Sequence, residues 1–258
     1  MSANGGAFSL SDLLVVLFGL GVGVSVGLTG VGGGSFLTPF LILVLRVHPA
    51  VAVATSLVFT LVTRAVGSVQ HLRQQTVDLK VVRQLAVGSV PAAIAASFVL
   101  GRLAGGGGGS DHIRARLIQA CLVIAAGVLT YRLFVPARPG HGDNNPIKLT
   151  LLGVLVGTMV ALSSVGSGSV AVAGLIGLTS LPVARVVGTD MVHAVILAAV
   201  AAPLVLLQTA FDFHLAFLLI LGSLPGVVIG SKLAVRVPER VTRLTVTLAV
   251  WTLALKVA

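Results

Sequence analysis

The sequence predicts an all-α integral membrane protein made of two inverted-topology repeats. Each repeat holds five hydrophobic segments and starts with a broken or re-entrant helical hairpin. Three observations lead there: the composition, the spacing of the apolar runs, and a repeat at constant offset. Of 258 residues, 56% are hydrophobic and only 9% charged, with a mean hydropathy of +1.09. A soluble domain carries roughly 25% charged residues. This chain cannot cover itself with polar surface, so its solvent is lipid. A β-barrel would show short alternating segments, whereas the apolar runs here are long and unbroken.

The repeat sets the element order. Adding 134 to a residue number in the first half finds its match in the second. VGGGS from Val31 meets VGSGS from Val165, Thr55 meets Thr189, Gln74 meets Gln208, and Asp78 meets Asp212. GSVP from Gly88 meets GSLP from Gly222, and Arg102 meets Arg236. Residues 1–135 form the first membrane repeat, 136–146 a connecting loop, and 147–258 the second repeat. The first-half segments are 8–28, 34–45, 50–70, 79–101 and 113–135. Those of the second are 147–164, 168–180, 185–209, 213–235 and 240–257.

Each element has its own signal. Gly19, Gly23 and Gly27, four apart in the first segment, read as close helix packing. The run GLTGVGGGSFLTPF then puts poor helix formers inside an apolar stretch. The following segment is too short to span a bilayer, which needs about 20 apolar residues. Segments one and two therefore read as a hairpin broken within the membrane, and the second half repeats the pattern. Pro91 and Pro225, placed early in long segments, mark kinks or tolerated first-turn positions. Gln74, Gln208, Asp78 and Asp212 sit at segment ends, where capping or loop closure is expected. Gly105–Gly109 reads as a flexible linker.

An odd number of segments per half inverts one half relative to the other. The positive-inside rule places Arg73, Lys80, Arg83, Arg132, Arg138, Lys148, Arg185, Arg236, Arg240 and Arg243 in the cytoplasm. Arg46, Arg102, Arg114, Arg116 and Lys256 fall outside, and so do both termini. The net charge of +10 comes from basic residues scattered at segment ends, and one Tyr and one Trp give no stacking platform. Nucleic acid is not an expected partner. Cys121, the single cysteine, reads as a buried inert thiol. MSANGGAFSL lacks Lys and Arg, which argues against a cleaved secretory signal. No G-x-x-x-x-G-K-[ST] occurs. The G-x-x-G-x-G from Gly27 follows no strand and precedes no suitably placed acid, so no nucleotide cofactor, and no cofactor of any kind, is expected.

Backbone groups at membrane depth must be satisfied internally. A break there is expensive unless protein, water or ligand meets the freed groups. The first break supplies Gly32, Gly33, Gly34 and Ser35. The second supplies Gly166, Ser167, Gly168 and Ser169. Each short helix would begin with unpaired N–H donors and a partial positive charge, and two such ends facing each other make an anion site. Thr55 and Ser56 match Thr189 and Asp190 at the start of the third segments, and Arg64 lies two turns on; with Ser35, Ser167 and Ser169, the residues Thr55, Ser56 and Thr189 are expected to bind the anion through their hydroxyls. Intramembrane ionisable residues are commonly functional. Arg64 could pair with Asp190 or face an anionic substrate. Asp190 and His193 are candidates to carry a coupling proton. The plainer alternative is a structural Arg–Asp pair beside a satisfied core histidine.

These residues resemble a known family. Gly30–Pro39, His48–Ser56, Gln70–Asp78 and Gly188–Asp190 are similar to motifs of the TauE/SafE sulfite exporter family, and the likeness covers nearly the whole chain. The resemblance implies a multi-pass protein of the cytoplasmic (inner) membrane that moves sulfite, sulfonates or related sulfur-containing anions. It places the family's glycine tracts at Gly32–Ser35 and Gly166–Ser169, with Ser167 where a third glycine could stand. The expectation is a secondary transporter, not an enzyme, working by alternating access. Its partners are the anion and the bilayer, with homo-oligomerisation left open and no metal expected. An anion channel is the first rival and would show conductance above transporter turnover. A membrane enzyme is the second, but no H-E-x-x-H occurs.

Overall fold

A computed structural model describes residues 10–29, 34–104, 110–134, 142–209 and 211–234, together with 248, 251 and 255. The described residues form nine helices and no strand. In the first half these are α1 (Leu10–Thr29), α2 (Gly34–Leu43), α3 (Pro49–Arg73), α4 (Leu79–Ala104) and α5 (Ser110–Phe134). The second half gives α6 (Pro146–Ser163), α7 (Val170–Leu178), α8 (Val183–Leu206) and α9 (Phe213–Ala234). The expected segment 240–257 and residues 30–33 of the first break lie outside the described residues, apart from Leu248, Trp251 and Leu255.

Five helices are long and apolar enough to cross a membrane: α3, α4, α6, α8 and α9. Large side chains such as Leu151 and Phe217 stand exposed on their outer faces, as lipid contact requires. The two short helices behave differently. α2 has 10 residues and α7 has 9. At 1.5 Å per residue each is about 14–15 Å long, half of a roughly 30 Å hydrocarbon core.

Local chemistry fixes the helix starts. His48 accepts from the Ala50 N–H, with Pro49 at the first turn of α3. Asn145 accepts from Ile147 and Lys148, with Pro146 at the first turn of α6. Asp78 caps α4 through Lys80 and Val81, and Asp212 caps α9 through Leu215. Pro91 and Pro225 are not early in their helices. Each stands twelve residues after the first, in mid-helix, with an exposed ring. The packing of α4 on α6 and of α9 on α1 carries both helices through the proline instead of ending them.

Glycine lets the helices meet backbone to backbone. Along α1 and α9, Val16 faces Gly222, Leu20 faces Gly226 and Val24 faces Gly230, so the two helices run parallel. α4 and α6 are paired in the same sense. The contacts are reciprocal. Gly19 lies on the Leu219 carbonyl, and their counterparts Gly153 and Leu85 make the same contact. Gly23 lies on Ser223, and Gly157 on Ser89. Gly222 lies on Val16, and Gly88 on Thr150. Two clusters fill the space between helices. Leu85, Leu122, Leu149, Val156 and Leu175 belong to one, and Val22, Leu37, Leu41, Phe59 and Leu218 to the other. Trp251 donates to the Thr130 hydroxyl at 2.8 Å, tying the region after α9 to α5.

A Cβ on Gly157 would collide with the Ser89 carbonyl oxygen, while one on Gly21 would meet nothing within 4 Å. Gly157→Ala is expected to destabilise by about 1–3 kcal/mol through overpacking. Gly21→Ala should be neutral or stabilising by up to about 1 kcal/mol, from helix propensity. Thermal unfolding of both variants in detergent checks the contrast.

Candidate functional site

The second break is described in full. Ser163 ends α6 and Ser164 turns into the left-handed region at φ 58. Gly166 and Gly168 follow at φ +120 and +86, where a side chain would be strained. Residues 163–170 are all buried. The Ser163 hydroxyl donates to the Met159 carbonyl and accepts from the Val165 N–H. The N–H groups of Val170 and Ala171 both reach the Gly166 carbonyl at 3.1 Å. The start of α7 is therefore less bare than the glycine tract suggests, because the turn folds a carbonyl back onto it.

The anion nearest this turn belongs to the protein. Asp190 Oδ1 accepts from the Gly168 N–H at 3.4 Å, and Asp190 Oδ2 pairs with Arg64 Nη1 at 2.7 Å. Both side chains are 1% exposed. One carboxylate thus joins α3, α8 and the broken segment. Arg64 Nε and Nη2 find no partner among the described residues. One turn beyond Asp190, His193 Nε2 shares a 2.8 Å hydrogen bond with Ser89 of α4, while its Nδ1 finds none. Other buried hydroxyls without a partner among the described residues are Thr38, Thr55, Ser56, Thr60, Ser97, Ser164 and Ser169. A buried unsatisfied polar group costs about 1–3 kcal/mol. Ser56 and Thr60 share α3 with the buried Arg64, and Ser169 adjoins Gly168 in the turn that Asp190 holds.

The comparisons with known proteins narrow the reading. The family described as "Sulfite exporter TauE/SafE" matches residues 15–257. The chain belongs to the TauE/SafE sulfite exporter family. It is similar to the "Probable membrane transporter protein YjnA" of Bacillus subtilis (strain 168), with 39% identity over 233 residues, 88% of this chain and 91% of that protein. It is also similar to the "Probable membrane transporter protein YdhB" of the same organism, at 23% over 239 residues, 90% of this chain and 94% of that protein. No solved structure matches. This TauE/SafE member is a multi-pass membrane protein.

Within this family member the expected site residues lie in several parts of the structure. Arg64, Asp190 and Gly168 are bonded together, with Ser169 beside them in the chain and His193 one turn away. Thr189 is buried, and its hydroxyl accepts the Asp78 N–H at 3.0 Å. Thr55 and Ser56 are buried in α3, and Gly166 and Ser167 lie in the turn. Gly34 and Ser35 begin α2, whereas Gly32 and Gly33 lie outside the described residues. Thr38, Thr60 and Ser89 carry no sequence signal beyond being hydroxyls in apolar helices. Thr60 alone could have been found, by its spacing of four from both Ser56 and Arg64. Among the described residues no group of three or more His, Cys, Asp or Glu side chains could hold a metal.

Removing one partner of a buried ion pair leaves the other charge uncompensated, at about 3–5 kcal/mol. Arg64→Leu alone should lower stability by that order. Arg64→Leu combined with Asp190→Leu should recover most of the loss. A double-mutant cycle by thermal or denaturant unfolding measures it.

Proposed function

We propose that the protein is a secondary transporter of small sulfur-containing oxyanions, working by alternating access across the cytoplasmic membrane with Asp190 taking up a coupling proton. The Arg64 guanidinium carries this reading: it is buried at membrane depth and bound by one carboxylate, with Nε and Nη2 unpartnered among the described residues. An intramembrane cation with unused donors supports an anion site. The family description supports sulfite and its relatives as the class, and the names of the two relatives support transport.

Charge balance supports the proton. Arg64 and Asp190 together are neutral, and His193 is the other titratable group on this stretch of α8. A monoanion entering a site of low dielectric would leave one negative charge uncompensated, worth about 2.5–3.5 kcal/mol at membrane depth. A proton on Asp190 restores neutrality and frees Arg64 for the incoming oxyanion. The reciprocal glycine contacts support an inverted pair of repeats. In the charge-based topology α1 and α9 both run inward, α4 and α6 both run outward, and each pair is parallel in the structure. Substrate at the repeat interface beside broken helices is the common plan of such transporters.

Proteoliposomes loaded with sulfite should take up labelled sulfite by counterflow. Methanesulfonate keeps its charge, so only the protein titrates in its binding. Its affinity should fall as pH rises, because binding takes up a proton, and Asp190→Asn should abolish that dependence. Absence of counterflow for every sulfur oxyanion tried, or conductance at channel rates, overturns the reading.

A further inference from the structure

We propose that Thr60, with Ser56, completes the anion site on α3 and selects for oxyanions that offer three or more acceptor oxygens. This rests on the transport reading above and extends it to residues and a ligand geometry that it does not specify. Ser56, Thr60 and Arg64 are four residues apart along α3, so they share one face with rungs about 6 Å apart. All three are buried, Thr60 at 3% exposure. Helical side chains lean toward the N-terminus, which tilts Arg64 toward the Thr60 rung.

Two contrasts separate this row from ordinary packing. On the same helix, Thr63 donates to the Phe59 carbonyl at 2.7 Å and Ser68 to the Ala65 carbonyl at 2.8 Å. That local bond is open to any helical hydroxyl, yet Ser56 and Thr60 do not make it and find no other partner among the described residues. The second half gives the other contrast. At the offset of 134 residues, Thr60 corresponds to Ala194 and Arg64 to Ala198, both buried. Alanine is enough to pack that position in α8, so the hydroxyl on α3 answers to something other than packing. The row presents donors: two hydroxyls, Arg64 Nε and Arg64 Nη2. Sulfite and the sulfonates present several acceptor oxygens on one small head. A halide presents a single centre and cannot meet all three rungs, spread over about 12 Å, at once.

Binding of sulfite and of chloride to the purified full chain, by calorimetry and thermal shift, tests this. Thr60→Val keeps the shape and removes the hydroxyl. It should weaken sulfite binding about tenfold, the equivalent of one good hydrogen bond, and leave chloride unaffected. Thr60→Ser should retain sulfite affinity, and Thr63→Val should match the wild type. A Thr60→Val protein with unchanged ligand-free melting and wild-type sulfite affinity overturns the assignment while leaving the transport reading intact. A wild-type chain that binds no sulfur oxyanion overturns both.

A separate observation concerns the access state. The Asp78 N–H donates to the Thr189 hydroxyl at 3.0 Å, and Arg185 reaches the Asp78 carboxylate at 3.8 Å. This fastens the α3–α4 loop onto the start of α8. The counterparts of Asp78 and Thr189 are Asp212 and Thr55, and the Thr55 hydroxyl finds no partner among the described residues. We infer that these are two equivalent latches, one closed and one open, and that their exchange accompanies alternating access. Arg185 corresponds to Val51, so only the closed latch has an ion pair to reinforce it. Hydrogen exchange on the full chain tests the coupling. In the wild type the Asp78 amide should exchange more slowly than the Asp212 amide. Thr189→Val should speed the first and slow the second. If the Asp212 amide does not slow when the Asp78 amide is released, the two latches are not coupled.

Discussion

The Arg64–Asp190 pair is the interaction on which the rest of the architecture rests. Neither charge can be solvated where it sits, so each fixes the other, and through them α3 and α8 are held in register. The same carboxylate holds Gly168, so the broken segment is fixed by an electrostatic contact as well as by apolar packing. A carboxylate and a sulfur oxyanion are chemically alike as acceptors. Asp190 is therefore the anion that Arg64 holds in this structure.

The second constraint is backbone satisfaction without water. An α6–α7 break buried in protein survives because its polar groups are met locally. The Gly166 carbonyl takes two N–H groups, the Ser163 hydroxyl takes one, and Asp190 takes another. Positive φ at Gly166 and Gly168 is what bends the chain so that these partners come within reach. The turn's backbone is largely met from within, while spare donors remain on its Ser164 and Ser169 hydroxyls as well as on α3.

Much of this was legible in the residues themselves. Long apolar runs gave the helices, and the second glycine tract located the α6–α7 break, because helix propensity and lipid solvation act locally. The Arg64–Asp190 pairing was one of two readings of Arg64, and the structure makes that bond while leaving two guanidinium nitrogens unmatched. Other features were not legible. That α7 starts with its N–H groups partly satisfied depends on the path of a six-residue turn, which no propensity encodes. Pro91 and Pro225 fell in mid-helix because tertiary contacts sustain a helix across a missing N–H. Thr60 is compositionally unremarkable, a threonine in an apolar helix, and only its spacing of four from Ser56 and Arg64 marks it in the sequence. Its burial beside a cation, without a partner among the described residues, becomes visible only once α3 is packed.

The glycine contacts also bear on how the chain is made. α1 finds its backbone partner on α9, about 200 residues later in the sequence, from Gly19 to Leu219. At ribosomal speeds of about 5–20 residues per second, the first helix waits roughly 10–40 s for the surface it is shaped to meet. α4 and α6, by contrast, adjoin each other almost as soon as α6 emerges. The halves are thus interlaced, not stacked. During biogenesis the nascent chain carries an unmatched small-residue face in the bilayer, where a chaperone or insertase could shield it until translation nears its end.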